Sequence, residues 1–311
     1  MSARIAVTGA NGFVGRAVTR ALLDAGHEPL GIVRHGAGAR MVEVPSLDAI
    51  TPDAFEGCAC VIHLAARVHV MNDAAADPLT AFRAINVEGA LKTADAAHRA
   101  GATRFVFVSS IKALAELDHG EPLKETDARH PPDPYGVSKA EAELALQAFG
   151  ARTGMEIVIA RPPLVYGPDV RANFLALMRA IAKGMPLPIG AVDARRSLVY
   201  VDNLASALVA CAVHPLAANR LFHVTDGEDP GVAELARMLG RHLNRPARLL
   251  PVPVGLLKAA GRLTAKSAQI ERLTGSLRVD STLIRDVLGW RPSYSLDAGL
   301  AETARWFLSQ H

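Results

Sequence analysis

Arg4-Ile-Ala-Val-Thr8-Gly9-Ala-Asn11-Gly12-Phe13-Val14-Gly15 is the stretch whose reading decides the fold. Arg4 to Thr8 is a short β-prone run, three glycines follow at positions 9, 12 and 15, and an amphipathic stretch from about Phe13 to Ala25 closes at Gly26. Strand, glycine turn and helix in that order lift a glycine pattern above chance. Glycines let the backbone approach a ligand closely, and the free N–H groups of a helix N-terminus favour an anion. The stretch predicts a pyrophosphate cradle formed by Gly9, Asn11, Gly12, Phe13, Val14 and Gly15. A glycine turn of purely structural purpose is the plainer alternative.

Working outward, strand-like runs recur at about Pro29 to Val33, Cys60 to Leu64, Arg104 to Val108 and Glu156 to Ala160. Helical patterns lie between them, at about Ala81 to Ala100 and Ser138 to Arg152. This alternation predicts an α/β chain with a Rossmann-type doubly wound parallel sheet. Ligands in such sheets bind at the carboxyl ends of the strands, where Leu64-Ala65-Ala66, Ser109-Ser110 and Arg161-Pro162-Pro163 fall. The second strand ends Ile32-Val33-Arg34, without the carboxylate that would hold a ribose 2′-hydroxyl. Arg34 could instead pair with a 2′-phosphate, which tilts the expected cofactor from NAD towards NADP(H). The plain alternative is that Arg34 stacks on adenine or faces solvent.

After Gly167 the alternation breaks into Pro- and Gly-rich connections at 184–190, 229–231 and 250–253. That shift predicts a smaller, discontinuous substrate-binding lobe over the site. The expected division is 1–166 for the dinucleotide-binding domain, with segments of about 198–224 returning to it, and 167–197 and 225–311 for the lobe.

Pro134-Tyr135-Gly-Val-Ser-Lys139 is the second decisive stretch. On a helix, the four-residue spacing puts Tyr135 and Lys139 on one face. An ammonium beside a phenol favours the phenolate, so Lys139 is expected to lower the Tyr135 pKa towards the range where general acid–base catalysis works. Alone, such a pair is more often solvated helix surface.

The 311 residues are half apolar and about a fifth charged, the composition of an ordinary globular enzyme-sized chain. A net charge of +3 is too mild to argue for nucleic acid. Cys58, Cys60 and Cys211 read as buried thiols in a reducing compartment. Neither an export signal nor a bilayer-length apolar run is apparent, so a cytoplasmic protein without membrane insertion is expected. His63, His69 and His223 lack metal-ligand spacing and read as structural, with no metal expected.

With Thr8 to Gly15, His63-Leu-Ala-Ala66, Ser109-Ser110 and Tyr135-Gly-Val-Ser-Lys139 in order, the chain resembles the extended short-chain dehydrogenase/reductases. Arg161-Pro-Pro-Leu-Val-Tyr-Gly-Pro168, Arg196-Ser-Leu-Val-Tyr-Val-Asp202 and Leu288-Gly-Trp-Arg-Pro292 match later motifs of the same group. The resemblance covers essentially the whole chain and is nearest the NAD-dependent epimerase/dehydratase family, in its UDP-hexose 4-epimerase and 4-keto-sugar reductase branch.

The resemblance implies that Ser110 hydrogen-bonds the reacting sugar oxygen, that Tyr135 moves its proton, and that Lys139 tunes Tyr135 and binds the nicotinamide ribose. It also implies that Leu64, Ala65, Ala66, Asn86, Ser109 and Pro162 lie along the cofactor. Arg196 is the expected diphosphate ligand of a nucleotide-diphosphate sugar, with Asn173 and Arg272 beside it; an ordinary surface arginine is the alternative for each arginine. Departures from the pattern are informative. Ile111-Lys112 replaces the Asp-Glu pair of dehydratases, Leu164 stands where many relatives have asparagine, and Pro45-Ser46 replaces an acidic adenine contact. Three functions stay open: a UDP-hexose 4-epimerase, an NADPH-dependent 4-keto-sugar reductase for surface-polysaccharide precursors, and a non-catalytic dinucleotide sensor. A homodimer is a further expectation.

Overall fold

Near-continuous apolar runs such as Ile5-Ala-Val7 and Phe105-Val-Phe107 suit strands buried on both faces, and they form the centre of a parallel sheet. The computed structural model describes residues 2–36, 38–68, 77–264 and 266–310. Its strands are β1 (Arg4–Thr8), β2 (Glu28–Val33), β3 (Met41–Glu43), β4 (Cys60–His63), β5 (Arg104–Val108), β6 (Glu156–Arg161), β7 (Leu164–Tyr166), β8 (Pro186–Leu187), β9 (Leu198–Tyr200), β10 (Leu221–His223) and β11 (Arg248–Leu249). Seven of them form one sheet in the order β10-β6-β5-β4-β1-β2-β3, with every pairing parallel. β1 sits between β2 and β4, so the connections leave it in opposite directions. The crevice beyond Thr8 and His63 is therefore the topological switch point.

The helices are α1 (Phe13–Asp24), α2 (Pro78–Arg83), α3 (Gly89–Arg99), α4 (Pro134–Thr153), α5 (Ala172–Ala182), α6 (Val201–Val213), α7 (Val232–His242), α8 (Val254–Leu263), α9 (Ser267–Thr274), α10 (Thr282–Leu288) and α11 (Leu296–Ser309). α1 and α6 pack together on one face of the sheet, and α3 and α4 lie together elsewhere in the fold. Beyond β6 the chain makes two small parallel pairs, β7 with β9 and β8 with β11. An aromatic cluster joins the segments here: Tyr200 lies 5.6 Å from Tyr166 and 5.0 Å from Tyr294 between ring centroids, and Tyr166 donates to Asp226 Oδ2 at 2.9 Å.

Two helix boundaries differ from expectation. The helix expected from Ala81 starts at Pro78, where Asp77 caps it through Thr80 N, and a π-helical turn at Ala84–Glu88 separates α2 from α3. The helix expected from Ser138 starts at Pro134, because Asp133 accepts from Gly136 N at 2.8 Å and proline suits a first helical position. Tyr135 thus lies in the first turn of α4, one turn before Lys139. All three cysteines are buried free thiols. Among the described residues no helix is long and apolar enough to cross a membrane.

Candidate active site

The glycine turn is held by contacts that only glycine permits. Gly9 has φ +71°, and Gly12 N donates to Gly9 O at 2.9 Å. A Cβ on Gly15 would lie 2.7 Å from Ala10 Cα and closer still to Gly9 O, so any side chain there would force α1 off the turn. The first turn of α1 carries no acidic residue. Free N–H groups, a bare backbone cradle and the switch point together fit the pyrophosphate of a dinucleotide. Two residues not singled out in the sequence build this cradle. Thr8 Oγ1 accepts from Leu64 N and Ala65 N, both at 3.1 Å, and lies 3.0 Å from His63 Nδ1, which ties β1 to the loop after β4. Arg16 donates to Asn11 O at 2.8 Å and to Asp169 Oδ2 at 2.7 Å. Arg34 is exposed at the end of β2, and among the described residues it makes no ion pair.

The second half of the site forms where α4 meets the turn after β5. A Cβ on Gly136 would collide with Lys112 O, so glycine is required for the first turn of α4 to rest on the 3-10 turn Ile111–Ala113. Ser110 caps that turn, accepting from Lys112 N at 3.2 Å, beside the Tyr135 phenol, whose pKa it pulls down. The Ile111 N–H donates to Pro162 O at 2.9 Å, which joins the carboxyl ends of β5 and β6.

The expected tuning of Tyr135 by Lys139 needs correction. Burial pushes the Tyr135 phenol up to about 12, opposed by the Ser110 hydrogen bond and reinforced by the Asp133 charge. The Lys139 ammonium instead donates to Val108 O at 2.7 Å and lies 4.0 Å from the Phe107 ring centroid. Burial drives Lys139 down to about 7, with the nearby Glu143 carboxylate pulling the other way. The spacing on α4 is as expected, but the surroundings set the protonation.

Glu143, one turn beyond Lys139, is a residue that sequence reasoning missed. It is fully buried and accepts from Ser109 Oγ at 2.6 Å, from Arg161 Nε at 2.8 Å and Nη2 at 2.6 Å, and from Arg129 Nη2 at 3.1 Å. The Ser109 side chain, expected along the cofactor, is thereby turned into the fold. Asn86 is similarly committed. Its amide accepts from Arg67 N at 2.9 Å and donates to Arg67 O and Ser138 Oγ at 3.1 and 3.0 Å, so it clamps the loop after β4 to α4. The only sequence signal for Glu143 is its position four residues after Lys139; for Asn86 it was the family motif.

Arg196 has partners that the sequence did not announce. Its guanidinium donates to the carbonyls of Arg195, Arg272 and Gly275, which satisfies the orphan carbonyls at the end of α9. Arg272 pairs with Glu116 at 3.1 Å, so Arg196 and Arg272 are brought together while Asn173 is exposed in the first turn of α5. His63 is buried beside the Phe105 and Phe107 rings, and burial followed by the Lys139 charge lowers it to about 3, a neutral structural ring. His223 is buried likewise and falls to about 4. His69 lies outside the described residues. No cluster of three potential metal-binding side chains occurs among the described residues.

Comparison with known proteins agrees with this geometry. Residues 5–224 match the NAD dependent epimerase/dehydratase family. The chain is 42% identical over 318 aligned residues to the UDP-glucose 4-epimerase of Vibrio cholerae, covering 99% of this chain and 96% of that protein. It is 27% identical to the GDP-6-deoxy-D-mannose reductase of Pseudomonas aeruginosa, over 96% and 95% of the two chains. Among solved structures, the UDP-N-acetylglucosamine 4-epimerase from Bacillus cereus superposes with a TM-score of 0.82 at 20% identity, over 100% of both chains.

Proposed function

The chain belongs to the NAD dependent epimerase/dehydratase family, and on that premise we propose that it is a UDP-hexose 4-epimerase. The near full-length relationship to the Vibrio cholerae enzyme carries the reading. The residues of this chain divide the work. Gly9, Gly12, Gly15 and the N-terminus of α1 would hold the pyrophosphate of NAD or NADP, with Leu64 to Ala66 and Pro162 along its length. When bound, the nicotinamide supplies a hydride acceptor and donor. Ser110 and Tyr135, coupled through the Tyr135 pKa, would both address the sugar O4. Tyr135 takes the hydroxyl proton as the ketone forms and returns it afterwards. A phenol held near 12 is protonated at neutral pH and a weak acid, so the first proton transfer needs the phenolate to be favoured further once cofactor and substrate are bound. Arg272, Arg196 and Asn173 are proposed at the diphosphate, with Arg196 acting also through the end of α9.

A reductase consuming NADPH is the second reading, favoured by Val33-Arg34, because Arg34 is exposed where a 2′-phosphate would lie. Its working state is proposed to be a cytoplasmic homodimer; exposed Ile85 and Leu144 supply apolar surface for contact, and sedimentation tests it. The deciding experiment incubates the purified protein with UDP-glucose and, separately, UDP-N-acetylglucosamine, and follows products by NMR with absorbance at 340 nm. The C4 epimer formed without net nicotinamide turnover supports the epimerase. Absence of any epimer, with stoichiometric NADPH oxidation on a 4-keto sugar nucleotide, replaces it with the reductase.

A further inference from the structure

Between Glu234 and Glu271 the chain carries seven Lys and Arg residues and no Asp or Glu, in a sequence whose totals are 34 basic against 31 acidic. Arg237, Arg241 and Arg245 line a surface cavity of about 660 Å³ with Leu249, and from there β11 and a Pro-rich turn lead directly into α8. Asp297 pairs with Arg241; among the described residues none of Arg237, Arg245, Arg248, Lys258, Arg262 or Lys266 has a carboxylate within ion-pair distance.

α8 itself is built with more than one apolar face. Leu257 and Gly261 are buried, and Gly261 admits Ile270 of α9 so closely that a Cβ would sit 2.8 Å from its Cγ1. That face holds the helix to the protein. Leu256, Ala260 and Leu263, at i, i+4 and i+7, share a different face, and Leu256 and Leu263 are 62% and 89% exposed. Lys258 and Arg262 occupy the remaining side, and Leu250, just before the helix, is 48% exposed. A soluble surface does not need a leucine stripe opposite no partner, and a stripe of this kind marks an interaction site.

We propose that α8 and the acid-free segment around it dock the protein onto the surface of an anionic bilayer, without crossing it. Two arguments favour lipid over a protein partner. Two exposed leucines on a ten-residue helix, with Leu250 just before it, offer too little area for a stable protein interface, but they suffice for a helix lying shallowly among headgroups. The unpaired cations match a surface of dispersed negative charge, which needs no fixed register of partners. Long Lys and Arg stems reach round the helix to headgroups while the leucines insert.

The test is co-sedimentation with vesicles of mixed phosphatidylglycerol and phosphatidylcholine against phosphatidylcholine alone, at physiological salt. Wild type should partition onto the anionic vesicles only. Leu256→Glu with Leu263→Glu should lower the partition coefficient at least tenfold, as should Lys258→Gln with Arg262→Gln, while the thermal midpoint and cofactor affinity stay as in wild type. No binding to anionic vesicles overturns the proposal. So does binding that ignores the leucine changes and is matched by RNA, which marks a simple polyanion surface. A change of oligomeric state in the leucine variant overturns it in favour of a second copy of this chain.

Discussion

Glu143→Gln isolates the charge at the back of the site. Glutamine keeps the volume and can still accept from Ser109 and one guanidinium N–H. What it loses is the negative charge facing Arg161, which is 1% exposed, and Lys139, which is 2% exposed. Arg129 is partly exposed, so its share is screened by solvent. Breaking a buried ion pair by removing one partner costs about 3–5 kcal/mol, because the other charge stays buried and uncompensated. Urea unfolding followed by both fluorescence and circular dichroism should therefore show a loss of that size. Replacing Glu143 and Arg161 together by apolar residues should cost less than the sum of the two single changes, since Arg161 no longer stays behind as an orphan charge. The chemistry should move as well. Glu143 supports the protonated form of Lys139, so its removal lowers Lys139 further below about 7. If the ammonium is the active form, the alkaline limb of the rate profile shifts to lower pH. A stability loss under about 1 kcal/mol, well short of the buried-pair range, with an unmoved pH profile would refute the reasoning.

Four other perturbations test separate parts of the site. Gly15→Ala places a methyl against the backbone of Gly9 and Ala10, and should weaken dinucleotide binding at least ~tenfold with about 1–3 kcal/mol of lost stability, measured by titration and unfolding. Tyr135→Phe should preserve cofactor affinity and cut turnover by roughly a hundredfold or more, and near-normal turnover removes it from the proton transfer. Arg34→Ala should weaken NADP(H) and leave NAD(H) unchanged; a wild-type preference for NAD ends the case for a 2′-phosphate contact. Arg196→Ala should lower the thermal midpoint as well as raise the substrate KM, because the end of α9 loses its cap; a KM change with unaltered stability restores Arg196 to a purely ligand-binding role.

Most of the sheet could be read from the chain because each strand announces itself locally. The run Arg4 to Thr8 and the glycines after it are constrained by their own backbone geometry, and Gly15 is glycine for a contact only five to six residues away. The Tyr135–Lys139 pair was readable for the same reason, since four residues on a helix is a local distance. Protonation is not local. Lys139 answers to Val108 and Phe107 on a strand more than thirty positions earlier, so the spacing of the pair was right and its expected pKa effect was wrong. Glu143 hides for the same reason: its partners Ser109, Arg129 and Arg161 lie 34, 14 and 18 residues away, and within α4 it is one glutamate among helix formers. Arg196 shows the converse gap. A family motif placed it at a ligand, while the carbonyls that engage it lie 76 and 79 residues on at the end of α9, a part of the chain with no motif that points back to it. Residues whose job is closed by neighbours in sequence can be assigned from sequence. Those whose charge is balanced across the fold acquire their role only when the sheet has brought the strand ends together, and Lys139 belongs to both kinds at once.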